Sequence, residues 1–149
     1  MAQEEVLAVA ECGPYKSFSN GDLETFSGVF DGKEENFQFF FSEKRLRRIG
    51  VYLYEGQDPK VGAKVWLALH GTMTRFFGPL ETPGNFSPAA SEAAAASFEA
   101  KALEMVDGSG KTQMAPLAQP EDKAVFSSYM RREVNGENYY YVVLYFDSP

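Results

Sequence analysis

The chain has 149 residues, a length that favours a single domain over residues 1–149 with a core of its own. Its composition, with 44% hydrophobic and 23% charged residues, is that of a globular protein. The net charge of −7 argues against binding of nucleic acids and against attraction to anionic membranes, because both carry dense negative charge.

The chain has few of the cysteine and histidine residues that form zinc sites and disulfides. Cys12 is the single cysteine and His70 the single histidine, so the sequence offers no internal disulfide and no zinc site with several such ligands. No apolar run in the sequence approaches the roughly 20 residues that span a bilayer. We therefore expect no cofactor, no metal and no membrane insertion.

The first 24 residues carry mixed signals. Residues 6–11 could form a short strand or the start of a helix, and Pro14 and Gly21 then interrupt the chain. The polar residues 2–5 resemble the N-terminus that remains after a signal peptide is removed. We therefore expect a periplasmic or secreted protein whose signal peptide is absent from this chain, with a cytoplasmic protein as the alternative.

Residues 25–54 predict a three-stranded antiparallel meander. An Asp-Gly turn signal at residues 31–32 follows the first strand-like stretch. The second strand contains the phenylalanine-rich residues 36–42. In residues 46–54 aliphatic side chains alternate with arginine, glycine and tyrosine, and this period of two is typical of a strand. The alternating aliphatic residues are Ile49, Val51 and Leu53.

Residues 59–77 predict an amphipathic helix. Asp58 is a favourable N-cap, and Pro59 occupies the first helical position, where its missing N–H is not needed. Gly78 provides the expected end. Apolar side chains recur at spacings of three and four, which gives the helix one apolar stripe. The stripe consists of Val61, Val65, Trp66, Leu69, Met73, Phe76 and Phe77.

Residues 79–122 form a segment rich in proline and alanine, which we interpret as a partly mobile insert. The alanine run within residues 88–106 favours a second helix with a narrow apolar stripe. A cluster of glycine, serine and aspartate follows this run, so residues 107–122 are predicted to be a loop.

The end of the chain predicts a β-hairpin. Residues 124–134 and 138–146 flank Asn135 and Gly136, the strongest short hairpin signal. The last strand is apolar on both faces, which is typical of a central, covered strand. One face has Tyr139, Tyr141, Val143 and Tyr145, and the other has Tyr140, Val142, Leu144 and Phe146. Together these elements predict an α+β fold with an antiparallel sheet of about five strands.

Bulky side chains on both faces of the sheet imply that both faces are covered, because an exposed patch of several rings is unusual for a monomer. The helix at residues 59–77 can cover one face, and we expect the alanine-rich segment to cover the other. A protein partner, a second copy of the chain or an apolar ligand are the alternatives. The candidate contact surface consists of Phe39, Phe41, Tyr52, Tyr54, Tyr139, Tyr141 and Arg47.

Three local features resemble chemical motifs, and each has a plainer interpretation. Residues 108–112 resemble the end of a phosphate-binding loop, but Met105 stands where that motif requires glycine. His70 and Cys12 lack a recognisable partner for acid–base or nucleophilic chemistry. We interpret residues 108–112 as a flexible loop, His70 as a structural histidine and Cys12 as a small buried side chain. We predict no catalytic residues.

The basic cluster at residues 44–48 contains Lys44, Arg45, Arg47 and Arg48. Charged side chains at a hairpin typically keep a sheet edge soluble. A contact with an acidic protein partner is the alternative. Binding of single-stranded nucleic acid would also need such a patch, but the acidic total charge argues against it.

Residues 36–49 read NFQFFFSEKRLRRI and are followed by a helix with Trp66 and Leu69 and by Phe-Gly-Pro at residues 77–79. With the terminal strand around residues 141–145, this pattern resembles small strand–strand–helix–strand–strand modules of uncharacterised exported bacterial proteins. The alanine- and proline-rich segment departs from the pattern. The resemblance implies an exported domain of unknown function and no active-site residues.

We predict that the chain is a non-catalytic binding or interaction module with a protein partner or a second copy of itself. One alternative is an acidic cytoplasmic chaperone for a secreted effector, which a helical N-terminus and an obligate dimer would favour. Another is a small hydrolase or lyase that uses His70, which would need a cleft joining His70 to a carboxylate or to Cys12.

Overall fold

The structure, a computed structural model, describes residues 1–85 and 87–149. Its helices are α1 (Gln3–Leu7), α2 (Pro59–Phe77) and α3 (Glu92–Ser109). Its strands are β1 (Lys16–Ser17), β2 (Leu23–Phe30), β3 (Lys33–Ser42), β4 (Arg45–Gly56), β5 (Leu80–Glu81), β6 (Lys111–Pro116), β7 (Ala124–Val134) and β8 (Glu137–Asp147). All eight strands form one antiparallel sheet in the order β1-β2-β3-β4-β8-β7-β6-β5.

The α+β class and the antiparallel sheet confirm the prediction, but the sheet has eight strands and not about five. The meander and the terminal hairpin lie side by side because β4 pairs with β8. The three additional strands are β1 and β5, with two residues each, and β6. Two-residue strands leave almost no periodic pattern in a sequence, so these two edges could not be predicted from alternation.

Strand β6 corrects the prediction of a loop at residues 107–122. Helix α3 continues to Ser109 and ends at Gly110, whose φ of 87° is left-handed. The next residues pair with β7, and their buried side chains alternate with exposed or half-buried ones. The buried ones are Thr112, Met114 and Pro116. The glycine and serine cluster therefore marks the end of a helix and the approach to a strand.

Three tight turns determine the register of the two hairpin systems. Both central residues of each turn have positive φ, which matches the right-handed twist of the flanking strands. Asp31 and Gly32 join β2 to β3, Glu43 and Lys44 join β3 to β4, and Asn135 and Gly136 join β7 to β8. The expected turns at residues 31–32 and 135–136 are thus confirmed.

Helix α2 begins and ends where the sequence predicts. The Asp58 side chain accepts a hydrogen bond from the Lys60 N–H at 2.9 Å, and Pro59 is the first helical residue. Gly78, with φ of 79°, follows the last residue. Among the described residues, no helix combines the length and the apolar character that a bilayer crossing requires.

Helices α2 and α3 pack on the same face of the sheet, which we call the helix side. Trp66 of α2 and Phe98 of α3 belong to one core cluster with Val51, Val142 and Tyr129 of the sheet. A second helix from the alanine-rich segment is therefore confirmed, with its start at Glu92 after a short 3₁₀ turn at Pro88–Ala90. The expectation that this segment covers the opposite face is wrong.

The N-terminal segment also packs on the helix side. Val6 of α1 forms a second, smaller core with Leu23 and Phe39, near the β1 edge of the sheet. The sequence allowed a short strand or the start of a helix at residues 6–11, and the structure has the short helix α1 at Gln3–Leu7. Within the described residues no helix packs on the opposite face, which we call the open face. The open face includes Gln38, Phe40, Arg48, Gly50, Tyr52, Phe126, Ser128, Arg132, Tyr139, Tyr141, Val143, Tyr145 and Asp147.

We predict opposite effects of alanine at the two glycines inside α2. A Cβ at Gly62 would lie 2.9 Å from the ring of Tyr129, which is fully buried and donates a hydrogen bond to the Pro59 carbonyl oxygen. Overpacking there costs about 1–3 kcal/mol, more than the gain of about 1 kcal/mol in helix propensity. At Gly71 a Cβ meets nothing within 4 Å, so G71A gains the propensity alone.

Urea unfolding of the two variants measures this difference. The free energy of unfolding should fall by about 1 kcal/mol in G62A and rise by about 1 kcal/mol in G71A. Equal stabilisation by both substitutions would contradict the close packing of α2 on β7.

Candidate functional site

A broad concavity lies on the open face, across β3, β4, β8 and β7. Its volume is about 840 Å³, within the range of sites for small ligands. The side chains along it are mostly polar, cationic or aromatic. The lining residues include Gln38, Phe40, Glu43, Arg47, Arg48, Tyr52, Arg132, Tyr145 and Asp147. We call this concavity the open-face site.

Arg48 lies at the centre of the open-face site and connects β4 to β8. Its Nε and Nη2 donate hydrogen bonds of 2.7 and 2.9 Å to the two carboxylate oxygens of Asp147. The guanidinium carbon also lies 4.6 Å from the ring centre of Tyr145 and 5.3 Å from that of Phe126. The hydrogen bond to Asp147 raises the pKa of Arg48, so this group stays cationic. Arg48 therefore has a fixed position and a fixed charge.

The middle of the open face is covered by its own side chains. Tyr145 is 7% exposed and Val143 is fully buried, although no helix lies above them among the described residues. Gly50 makes this packing possible, because a Cβ there would lie 3.0 Å from the Tyr52 ring and 3.4 Å from the Tyr145 ring. The two tyrosine rings thus lie close to the backbone of β4. Our premise that a separate layer must cover both faces is therefore too strong for this sheet.

The two tyrosine hydroxyls of the site resist ionisation. Burial raises the pKa of Tyr52 well above its ordinary value of about 10, and the interaction with the Tyr145 hydroxyl raises it further. Burial also raises the pKa of Tyr145, while the charges of Arg48 and Arg132 act in the opposite direction. At neutral pH both hydroxyls are protonated and can donate hydrogen bonds.

Arg132 lies at the exposed side of the open-face site. It lines the same concavity as Tyr52 and Tyr145, and its positive charge opposes the rise in the pKa of both hydroxyls. Among the described residues, no carboxylate lies within ion-pair distance of Arg132. Its neighbour Arg131 belongs to the helix side of β7 and has such a contact, 3.7 Å from the carboxylate of Asp107. The open-face site therefore contains a cation without a fixed counter-charge.

The structure brings only part of the expected contact surface together. Tyr52, Tyr139 and Tyr141 lie on the open face, where the rings of Tyr52 and Tyr141 meet edge to face at 6.4 Å. Arg47 lines the edge of the open-face site and is 3.9 Å from the carboxylate of Glu43. Four of the seven residues predicted for the contact surface therefore lie on one surface.

Three members of the expected surface face the helix side. Phe39 is buried in the small core around Val6, and Phe41 packs against the same cluster. Tyr54 packs against the main core, and its hydroxyl accepts a hydrogen bond from the Asp58 N–H. An irregularity in the pairing between Tyr52 and Tyr54 reverses the alternation, so these two tyrosines face opposite sides. A strict period of two could not reveal this change.

The prediction missed several residues of the open-face site. These are Phe40, Arg48, Phe126, Arg132, Tyr145 and Asp147. One signal was available, because Gln38 lies between phenylalanines and Arg48 lies beside the aliphatic row of β4. Polar residues at alternating positions mark the less buried face of a strand. The pairing of Arg48 with Asp147, 99 residues later, has no local signal in the sequence.

His70 and Cys12, the two residues considered for catalysis, lie outside the open-face site. His70 is 8% exposed and contacts the Phe98 ring edge to face at a centroid distance of 5.3 Å, and burial lowers its pKa. Cys12 is half-buried in the N-terminal segment, where its carbonyl accepts a hydrogen bond from the Thr25 hydroxyl. In the described part of the chain no group of three or more potential metal ligands occurs.

Comparison with models of protein families, with curated proteins and with solved structures found no match. The resemblance to exported bacterial modules and the exported location both stay predictions. The open-face site is therefore the feature of the molecule that bears on its function.

We predict that Tyr52 makes the stability of the protein fall steeply at high pH. Because its pKa is raised on folding, its contribution is fully present below about pH 10 and is lost as pH rises toward the folded value. Y52F removes this loss, so the variant should lose less free energy of unfolding between pH 9 and pH 11, by up to about 1 kcal/mol per pH unit.

Urea unfolding at a series of pH values measures the effect. F40L is a suitable control, since it alters the same face without removing a titrating group. The difference between F40L and the wild-type protein should be the same at every pH. A pH profile of Y52F parallel to that of the wild-type protein would contradict the assignment.

Proposed function

We propose that this chain is a non-catalytic binding module that holds its ligand or partner on the open face of the sheet. The observation that supports the proposal is the distribution of the helices. All three lie on the helix side, and the opposite side contains the open-face site with its arginines and aromatic rings. A concave surface with a few converging polar groups is the usual form of a ligand site.

The chemistry of the open-face site favours recognition over catalysis. The Arg48 pKa is raised and the tyrosine pKa values are raised, so these groups keep their protons near neutral pH. Asp147 is held by Arg48, and Glu43 lies within 4 Å of Arg47. The site can therefore supply hydrogen-bond donors, positive charge and ring faces, which are the means of binding.

The hydrolase or lyase alternative requires a partner for His70. Within the described residues, the imidazole of His70 contacts the ring of Phe98 and makes no hydrogen bond. The carboxylates of the open-face site lie on the other side of the sheet. The contacts of the described residues therefore support the binding module more than a hydrolase or lyase that uses His70.

A binding experiment by NMR tests the proposal. Amide chemical shifts would be recorded while mixtures of organic acids, amino acids, sugars and short peptides are added. We expect the shifts that respond to cluster on β3, β4, β7 and β8. F40E should weaken this response, whereas V61E, at an exposed position of α2, should not. Responses that cluster around His70, or equal responses of both variants, would contradict the proposal.

One observation favours the chaperone alternative. The N-terminus is helical over Gln3–Leu7, which is one of the two features expected for that class. The other feature is an obligate dimer, and the half-buried rings on the open face would offer it an interface.

Light scattering of the purified protein distinguishes the two functions. A binding module with a free open face should have the monomer mass of 16.6 kDa. An obligate dimer through the open face should have twice that mass, and Y141E should dissociate it while V61E leaves it intact. A stable dimer that behaves in this way would favour the chaperone.

A further inference from the structure

We propose that the open-face site binds a small organic anion, with the carboxylate or phosphate group on Arg132 and the body of the ligand against the tyrosine rings that line the same concavity. This inference rests on the proposed function and adds the chemical class of the ligand. It follows from the distribution of charge, from the state of Arg132 and from the groups around it.

The charge of the site is opposite to that of the whole chain. Three arginine side chains line it against two side-chain carboxylates, those of Glu43 and Asp147, whereas the protein has a net charge of −7. Both carboxylates are already occupied, since Asp147 binds Arg48 and Glu43 lies near Arg47. The positive charge that remains for a ligand is therefore local, and an anion is the group that it attracts.

Among the described residues, Arg132 differs from the other two arginines of the open-face site in having no counter-charge. Arg48 pairs with Asp147, and Arg47 lies 3.9 Å from the carboxylate of Glu43. For Arg132 no such carboxylate is present among the described residues, although the side chain lines a concavity. A guanidinium presents a planar set of donors that fits carboxylate and phosphate oxygens.

The neighbours of Arg132 complete the site. Tyr52 and Tyr145 line the same concavity as Arg132, so a tyrosine hydroxyl can add a hydrogen bond to an anionic ligand held there. Both hydroxyls keep their protons well above neutral pH. Phe40 and the ring of Tyr52 provide apolar surface in the same concavity.

The shape of the site favours a small molecule. Its volume of about 840 Å³ can hold a ligand of moderate size. The ring of Tyr52 suits a planar or apolar body, which adds hydrophobic burial to the charge interaction. A free inorganic anion would gain only the charge interaction.

Four matched probes test the inference by isothermal titration or by amide chemical shifts. Benzoate and phenyl phosphate carry an anionic group on a ring, benzyl alcohol is neutral and benzylamine is cationic. We expect the two anions to bind at the open face and the other two to bind at least about tenfold more weakly, because a charge-assisted hydrogen bond contributes about 1.5–3 kcal/mol.

Variants at adjacent residues provide the control. R132Q should weaken benzoate about tenfold or more, R132K should retain part of the binding, and R131Q, on the helix side, should bind as the wild-type protein does. Arg132 is exposed, so R132Q should keep the far-UV spectrum and thermal midpoint of the wild-type protein.

Several results would overturn the inference. They are equal binding of benzoate by R132Q and the wild-type protein, equal binding of benzylamine and benzoate, and no binding of either anion. If benzyl alcohol or another uncharged probe perturbs the open face in these cases, the proposed function stands and only the anionic class is lost. If no probe of any charge perturbs the open face, both proposals fail.

Discussion

The pairing of β4 with β8 is the constraint on which the rest of the structure depends. It joins the N-terminal meander to the C-terminal hairpin, and the Arg48–Asp147 pair crosses it with two hydrogen bonds. Because Val51 lies opposite Leu144, aliphatic side chains of both strands face the helices. The same register places Gly50 opposite Tyr145 on the open face. A shift of one residue would exchange the two sets.

The side chains on the two faces of this sheet are shielded from water in different ways. On the helix side, Trp66, Phe98 and their neighbours exclude water with a separate layer of helices. On the open face, Tyr145 is almost fully buried by side chains of the sheet itself, with Gly50 leaving room for the rings. Arginine side chains are suited to this role, because their planar groups can lie on aromatic rings while their charge stays near water. A face built in this way can remain open and still bury its centre.

Much of the fold could be predicted from the sequence, because the relevant signals are local. Asp58, Pro59 and Gly78 mark the ends of α2, and Asn135 and Gly136 mark the terminal hairpin. The two short edge strands could not be predicted, since two residues show no period. Strand β6 was hidden by the glycine and serine residues that end α3, and these are equally typical of a loop.

The candidate site was harder to predict because it depends on how distant strands pair. The face of Tyr54 is set by an irregularity near Leu53, and the partner of Arg48 lies on the last strand of the chain. The predicted contact surface was based on the hydrophobicity of large aromatic side chains. Instead Phe39 and Phe41 pack beneath the N-terminal helix, and the open-face site contains arginines beside tyrosines.

The two outermost strands of the sheet have consequences for how this protein can associate with others. β1 and β5 contain two residues each, so each covers only the end of the strand beside it: β1 pairs with Leu23 and Glu24 of β2, and β5 pairs with Ala115 and Pro116 of β6. The rest of β2 lies at an edge of the sheet, and among the described residues no strand pairs with its outer side. An irregularity between Thr25 and Gly28 interrupts the pairing of this strand, and such irregularities make an edge a poorer template for adding a strand of another molecule.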